Sequence, residues 1–279
     1  MDTSNHWYGH AHILSEYCGL PFEQPRPIWG VLQHGWNLLH GFGPGHEPPY
    51  GFPKFVWSHA NLRRGQAVGW RDYAVIGAPW NYLLELKKDV EPVPPADERE
   101  GTIFYPFHTW DHGEVSGDHD RLIAEIRDTE DGPVTVCLYW IEYDMPEIRR
   151  RYEDAGFRVI CHGKRGTLRQ GTDIRFLHKQ YAEQIRHRRV ASNRLTTAIF
   201  YGASVGSEVA VYGDPMTFAD VRDASVRDGN EQAKRLFPEF HGVETDAEEV
   251  RATTVRELGL DAMASPAELR ALFGWEITA

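Results

Sequence analysis

The run VASNRLTT at 190–197 places Ser192, Asn193, Thr196 and Thr197 where an apolar strand gives way to a helix. The first N–H groups of a helix lack intrahelical partners and lie at the positive end of its dipole, so such a turn favours an anion such as a phosphate. The hydroxyls of 192, 196 and 197 add neutral donors. An ordinary helix cap with nothing bound uses the same residue types. A second run, HGKRG at 162–166, sets the cations Lys164 and Arg165 between Gly163 and Gly166, where a bare backbone can approach a ligand closely. A solvated basic turn has the same composition.

Proton transfer needs a group that titrates near neutrality. His34, in VLQHGW at 31–36, follows a short apolar stretch, and an imidazole with an unperturbed pKa of about 6.5 suits base work. A loop histidine bonded to backbone is the alternative. Asp111, in FHTWDHGEV at 107–115, is a second candidate base and Glu114 a weaker one. His10 and His12, the run at 108–112 and the run Asp118-His119-Asp120 offer nitrogen and oxygen ligands. The last of these reads better as a helix start, with acids in the first turn. No metal is expected. The three cysteines, Cys18, Cys137 and Cys161, include no CxxC pair, and Cys137 and Cys161 lie in apolar runs that read as buried thiols. No GxxxxGK[ST] or GxGxxG run occurs, which removes the usual support for a P-loop or a standard dinucleotide site.

These residues need elements to hold them. Apolar stretches at 102–108, 133–140, 157–163, 189–193 and 208–213 predict strands. Between them, 118–128, 145–156, 174–188 and 194–206 predict helices, with Leu122, Ile123 and Ile126 on one face of the first. Strands alternating with helices imply crossover units and a parallel sheet covered on both faces. The first segment is rich in Gly, Pro and aromatics, with short strands near 31, 55–59 and 73–77 and a helix opening at Pro79. The stretch 89–101 carries Pro92, Pro94 and Pro95 among charges and reads as a linker. Beyond Asp214, helices are expected at 216–223, 228–236, 246–258 and 265–273. The division is therefore 1–95, 96–215 and a helical tail, 216–279, packing on the domains. The fold class is α/β with two Rossmann-like, doubly wound domains, the first short.

Composition narrows the function classes. With 41% hydrophobic and 25% charged residues in 279, the chain can bury a sizeable core. A net charge of -11 disfavours general binding to nucleic acid or an anionic membrane. No apolar run reaches a membrane-span length and the start has no secretory pattern, so a cytoplasmic location is expected. Fourteen His and nine Trp suit sugar or base recognition.

The run VASNRLTTAIFYGASVGSEVAVYGDP at 190–215 resembles the nucleotide-sugar half of bacterial surface- and capsule-polysaccharide glycosyltransferases of the GT-B type. The stretch from FYPFHTWDHGEV to YEDAGFRVICHGKRG resembles the preceding segment of that family, and VLQHGW a loop of its amino-terminal domain. The resemblance implies two facing domains, the second binding an activated donor. By position, Ser192, Asn193, Thr196 and Thr197 would hold the donor phosphate. Gly163 and Arg165 would lie near nucleotide or diphosphate, and Tyr139 and Trp140 would flank base or ribose. His34 matches the loop histidine, a base or phosphate contact, and His108 and Asp111 would lie near the cleft. The expected activity is metal-independent sugar transfer from a nucleotide-sugar donor to a saccharide or small-molecule acceptor, with no further cofactor. A CDP-linked polyol or sugar phosphate transferase, a nucleotide-sugar epimerase and a non-catalytic nucleotide-sugar-binding protein are the alternatives. The first domain is short for a full acceptor domain.

Overall fold

The structure is a computed structural model, and it describes residues 2–43, 48, 51–108, 115–166, 171–218 and 228–275. Its strands are β1 (Val31–Leu32), β2 (Lys54–Val56), β3 (Tyr73–Val75), β4 (Thr102–Tyr105), β5 (Val115–Ser116), β6 (Val134–Cys137), β7 (Arg158–Ile160), β8 (Arg189–Ser192), β9 (Glu208–Val211) and β10 (Thr217–Phe218). Its helices are α1 (Asp2–Asn5), α2 (His10–Tyr17), α3 (His59–Ala67), α4 (Pro79–Lys87), α5 (His119–Thr129), α6 (Trp140–Tyr143), α7 (Pro146–Asp154), α8 (Phe176–Gln184), α9 (Thr197–Ser204), α10 (Gly229–Leu236), α11 (Ala247–Leu258) and α12 (Pro266–Phe273). The chain forms two compact units, one of residues 1–92, 164–179 and 252–279, the other of 93–163 and 180–251. These units run differently from the expected division. A segment inside the expected donor domain and the last part of the expected tail both join the first unit. Among the described residues no helix is long and apolar enough to cross a membrane.

In the first unit, β1, β2 and β3 form a parallel sheet in that order. Its edge is finished by Asn5, whose Oδ1 accepts from Leu32 N–H (2.8 Å) while its Nδ2 donates to the Gly30 carbonyl (3.0 Å). The carboxy-terminal segment belongs to this core. Trp275 is fully buried and its indole N–H donates to the Pro27 carbonyl (2.9 Å). Helix α12 opens with Ser265 and Glu268 bonding each other's backbone N–H, the start that Ser-Pro-x-Glu leads one to expect.

The second unit holds a five-stranded parallel sheet, ordered β7-β6-β4-β8-β9. Successive strands step outward from β4 first to one side and then to the other, so the winding reverses beside β4. Strands of such a sheet are covered on both faces, which explains the continuous apolar runs: all four residues of β6 are buried. Helix α5 packs Leu122, Ile123 and Ile126 into the core with Phe104, Val136 and Ala191. Asp118, in the Asp118-His119-Asp120 run, caps that helix by accepting from Arg121 N–H (3.0 Å). Where a helix is expected over 216–223, residues 219–223 lie outside the described residues and 217–218 form β10, paired antiparallel with β5. Pro215 precedes it, and Met216 has a left-handed backbone (φ 48°), which breaks a helical start.

Two packing features generate tests. Gly202 of α9 lies so close to β8 that a Cβ there would stand 2.6 Å from Val190 Cβ. Gly202→Val is expected to destabilise the protein by about 1–3 kcal/mol in urea unfolding, the cost of overpacking a close contact. Gly229→Ala, at an open position, is expected to stay within about 0.5 kcal/mol of the parent. His10 is fully buried, neither ring nitrogen has a hydrogen-bond partner among the described residues, and burial pushes its pKa down to about 3. The unfolded chain takes up that proton near pH 6.5 and the folded one does not. The stability is therefore present above about 6.5 and drains away as the pH falls towards 3. Between pH 7 and pH 5 the loss from this residue is about 2 kcal/mol. In His10→Leu the difference in unfolding free energy between those pH values should shrink by that amount; an unchanged difference would contradict a buried neutral imidazole.

Candidate functional site

Open parallel sheets bind ligands beyond the carboxyl ends of their strands, where the winding reverses. In the second unit that place is the end of β4 and β8. The Ser192–Asn193 turn builds it. The Ser192 hydroxyl donates to the Tyr105 carbonyl (2.7 Å) and accepts from Arg194 N–H (3.3 Å). Asn193 Oδ1 accepts from Phe107 N–H (2.6 Å), and its Nδ2 donates to the Asp214 carbonyl (2.6 Å). Both residues are buried. These side-chain bonds are made to neighbouring backbone and shape the turn itself.

The anion-favouring groups lie one step further on. Thr196 is the N-cap of α9 with an extended backbone, and its side chain makes no capping bond. Its Oγ1 is buried with no hydrogen-bond partner among the described residues. Thr197 opens the helix and is half-buried. Beside them stands Arg194, a residue that reading the turn for hydroxyls passed over. It is buried; its Nε donates to the Pro215 carbonyl (2.7 Å), its Nη2 to the Met216 carbonyl, and its guanidinium lies 3.8 Å from the centre of the Phe107 ring. Among the described residues no carboxylate bonds it. Burial lowers its pKa to about 10, and the charge of Glu231 only partly offsets that. The signal in the sequence was a single cation inside an otherwise neutral strand-to-helix turn.

Aromatic groups line the neighbouring strand ends. His108, after β4, stacks on Tyr139, after β6, at 4.1 Å and 21°. Trp140 is 6.1 Å from Tyr139. Gly163, after β7, has φ +105° and donates its N–H to Cys161 Sγ (3.2 Å). Thus Ser192 ends β8, and His108, Tyr139, Trp140, Gly163, Asn193, Thr196 and Thr197 follow strands β4, β6, β7 and β8 of one sheet. Asp111 lies outside the described residues.

Two expected residues belong to the other unit. His34 follows β1, and its ring lies 4.4 Å from that of Trp7. Arg165 was expected near the nucleotide, yet its guanidinium lies 4.5 Å from the same Trp7 ring. The chain has left the five-stranded sheet by Lys164, and spacing along HGKRG could not reveal that crossing. The His34 loop is fixed from two sides. Gln33 Oε1 accepts from Trp57 N–H (3.0 Å), and Trp36 Nε1 donates to Glu257 (2.9 Å), a buried carboxylate also held bidentately by Arg64 at 3.2 Å. Among the described residues no group of three or more side chains could hold a metal ion. The run Gly202-Ala203-Ser204-Val205-Gly206 has the GxSxG spacing, but Ser204 ends a helix and its hydroxyl donates to the Tyr201 carbonyl (2.7 Å). It is not the strand-to-helix elbow that spacing serves in hydrolases.

No family model matches the chain, and no curated protein matches it. Among solved structures it is similar to the S. aureus MnaA–UDP co-structure, with 11% identity and a TM-score of 0.38 over 77% of this chain and 54% of that one. It is similar to the UDP-GlcNAc 2-epimerase from Neisseria meningitidis bound to UDP-GlcNAc, with 11% identity and a TM-score of 0.35 over 80% and 59%. It is also similar to the wall teichoic acid polymerase TagF, with 12% identity and a TM-score of 0.41 over 80% and 57%. The chain therefore spans little more than half the length of these proteins.

Asn193→Ala would leave the Phe107 N–H and the Asp214 carbonyl without their partner. The expected cost is about 2–3 kcal/mol, measured by urea unfolding. A loss below about 0.5 kcal/mol would show that the turn is held by other contacts.

Proposed function

We propose that the second unit binds a nucleotide-activated sugar and that the protein transfers the sugar to an acceptor hydroxyl. The observation that carries this reading is the carboxyl edge of β4, β6 and β8. There a buried cation with no bonded carboxylate among the described residues, a helix start whose N-cap side chain makes no capping bond, and a stacked aromatic pair follow adjoining strands. A diphosphate suits the first two, and a flat base or ribose suits the third.

The chemistry follows from these roles. The acceptor oxygen forms a bond to the anomeric carbon as that carbon's bond to the diphosphate breaks. The bonding pair leaves with the diphosphate, where Arg194, Thr196, Thr197 and the first N–H groups of α9 stabilise the charge. The acceptor proton passes to a base. His34 is the assigned candidate, with Asp111 the second and His108 the third. Ser192, Asn193 and Gly163 shape the backbone around the donor, and Tyr139 and Trp140 meet its base. No step needs a metal ion.

A thermal-shift panel with CMP, CDP, UDP, GDP and dTDP tests the donor site. A nucleotide at 100 times its Kd stabilises by about 2.7 kcal/mol, roughly 5–10 °C for a chain of this size. One nucleotide should give that rise, and Arg194→Met should weaken its binding at least ten-fold. His34→Ala should keep the nucleotide and lose turnover. No rise with any nucleotide would overturn the reading, and sugar conversion without an acceptor would make the protein an epimerase.

A further inference from the structure

The loop at 33–41 follows the carboxyl end of β1 and carries His34. Side chains hold its backbone along its length. Gln33, fully buried, donates from Nε2 to the Gly35 carbonyl (3.0 Å). Asn37 Oδ1 accepts from the N–H groups of Leu39 (3.0 Å) and Gly41 (3.2 Å). Asn61 donates to the Leu39 carbonyl (3.3 Å), and the Tyr73 hydroxyl donates to the His40 carbonyl (3.2 Å). The anchor from furthest along the chain is Glu257, in the last turn of α11 and only 1% exposed. Its Oε2 accepts from Trp36 Nε1 (2.9 Å) and Arg64 Nη1 (3.2 Å), and its Oε1 from Arg64 Nη2 (3.2 Å). The next two residues reach the chain beyond the other two strands. The Leu258 carbonyl accepts from Ala78 N–H (2.9 Å) and Asn81 Nδ2 (2.9 Å), beyond β3. Gly259, at φ +61°, is pressed onto the Trp57 carbonyl, just after β2, where no Cβ would fit. Three consecutive residues thus meet the chain beyond all three strands, at the carboxyl edge of one parallel sheet.

We propose that Glu257 is a positioning residue for the transfer: through Trp36 it holds the loop on which His34 takes the acceptor proton. The proposal rests on the transferase reading and adds the residue that keeps its base in place. A base takes a proton only across hydrogen-bond distance, so the backbone that carries it has to be fixed before the acceptor arrives. His34 stands between Gln33, which holds Gly35, and Trp36, which Glu257 holds. A buried carboxylate is stable only with its donors in place, so the pairing with Arg64 and Trp36 selects one position of the indole. The Arg64 fork fixes the carboxylate in turn, leaving Oε2 aimed at the indole N–H.

Trp36→Phe deletes the donated N–H and keeps a ring, Glu257→Gln keeps an acceptor, and Glu257→Ala keeps neither. In Trp36→Phe and Glu257→Ala, amide exchange over 34–41 should speed up about ten-fold, while exchange in β4 and β8 stays within about two-fold. Turnover is followed as release of the nucleoside diphosphate that the thermal-shift panel selects. In both variants kcat should fall at least about ten-fold with the KM of the donor within about two-fold, and Glu257→Gln should recover part of the kcat. A brace with no part in the reaction would lower the melting temperature and leave turnover per folded molecule unchanged. If Glu257→Ala does not fold, as judged by near-UV circular dichroism, Trp36→Phe carries the expectation alone. Unchanged exchange over 34–41, or a loosened loop with full kcat, would overturn the proposal. Full turnover in His34→Ala, or a parent that no nucleotide stabilises, would instead end the reading on which it rests, and the proposal with it.

Discussion

The Asn193 carboxamide is the interaction on which the proposed site depends. One face accepts from the backbone after β4 and the other donates to the backbone after β9, with Ser192 adding a bond to the end of β4 itself. Three neighbouring strands are thereby tied together at their carboxyl ends by two adjoining side chains. A buried amide with both faces paired is rigid, because losing either bond leaves backbone groups unsatisfied. The turn then has one course, and that course sets where α9 begins. Gly213 completes the tie: its φ of +90° and the approach of Leu122 Cδ1, 2.8 Å from where a Cβ would be, leave no room for a side chain. Asp214 is then reached by Asn193 from one side, while its N–H donates to Glu125 (2.6 Å) on the other.

The consequence is electrostatic. The turn that Asn193 fixes carries Arg194 into the protein, where carbonyl oxygens and an aromatic face solvate it and, among the described residues, no carboxylate bonds it. Burying a cation in that way costs stability, and the depressed pKa of the guanidinium is the same cost expressed as proton affinity. An anion arriving at the start of α9 gains from a charge already desolvated and already in place, without reorganisation during binding. In a strongly acidic chain, this local inversion of sign would separate the proposed phosphate site from general attraction to anions.

Much of this was legible in the sequence and some was not. The five strands of the large sheet, the amphipathic α5 and the cap of α12 follow from local pattern, and each formed close to its expected place. Pro79 opens its helix, as a residue with a fixed φ and no N–H should. What local pattern could not show was long-range. The inward bonds of Ser192 and Asn193 go to Tyr105 and Phe107, far away in sequence, and come into view only once the sheet is assembled. Arg165 stands two residues from Gly163, yet the chain passes between units within that step. Trp7, whose ring meets both His34 and Arg165, carries no local signal that distinguishes it. The start of the expected 216–223 helix is a strand at 217–218, set by the left-handed Met216 and pairing with β5, while 219–223 lie outside the described residues.

Hydrogen–deuterium exchange in the presence and absence of the stabilising nucleotide tests the central claim most directly. The account predicts slowed exchange at the amides of 107–108, 139–140 and 193–199, the carboxyl edge of β4, β6 and β8 and the start of α9. Protection confined to the opposite edge, along the groove lined by Arg188, Ser207, Glu208 and Arg251, would contradict it.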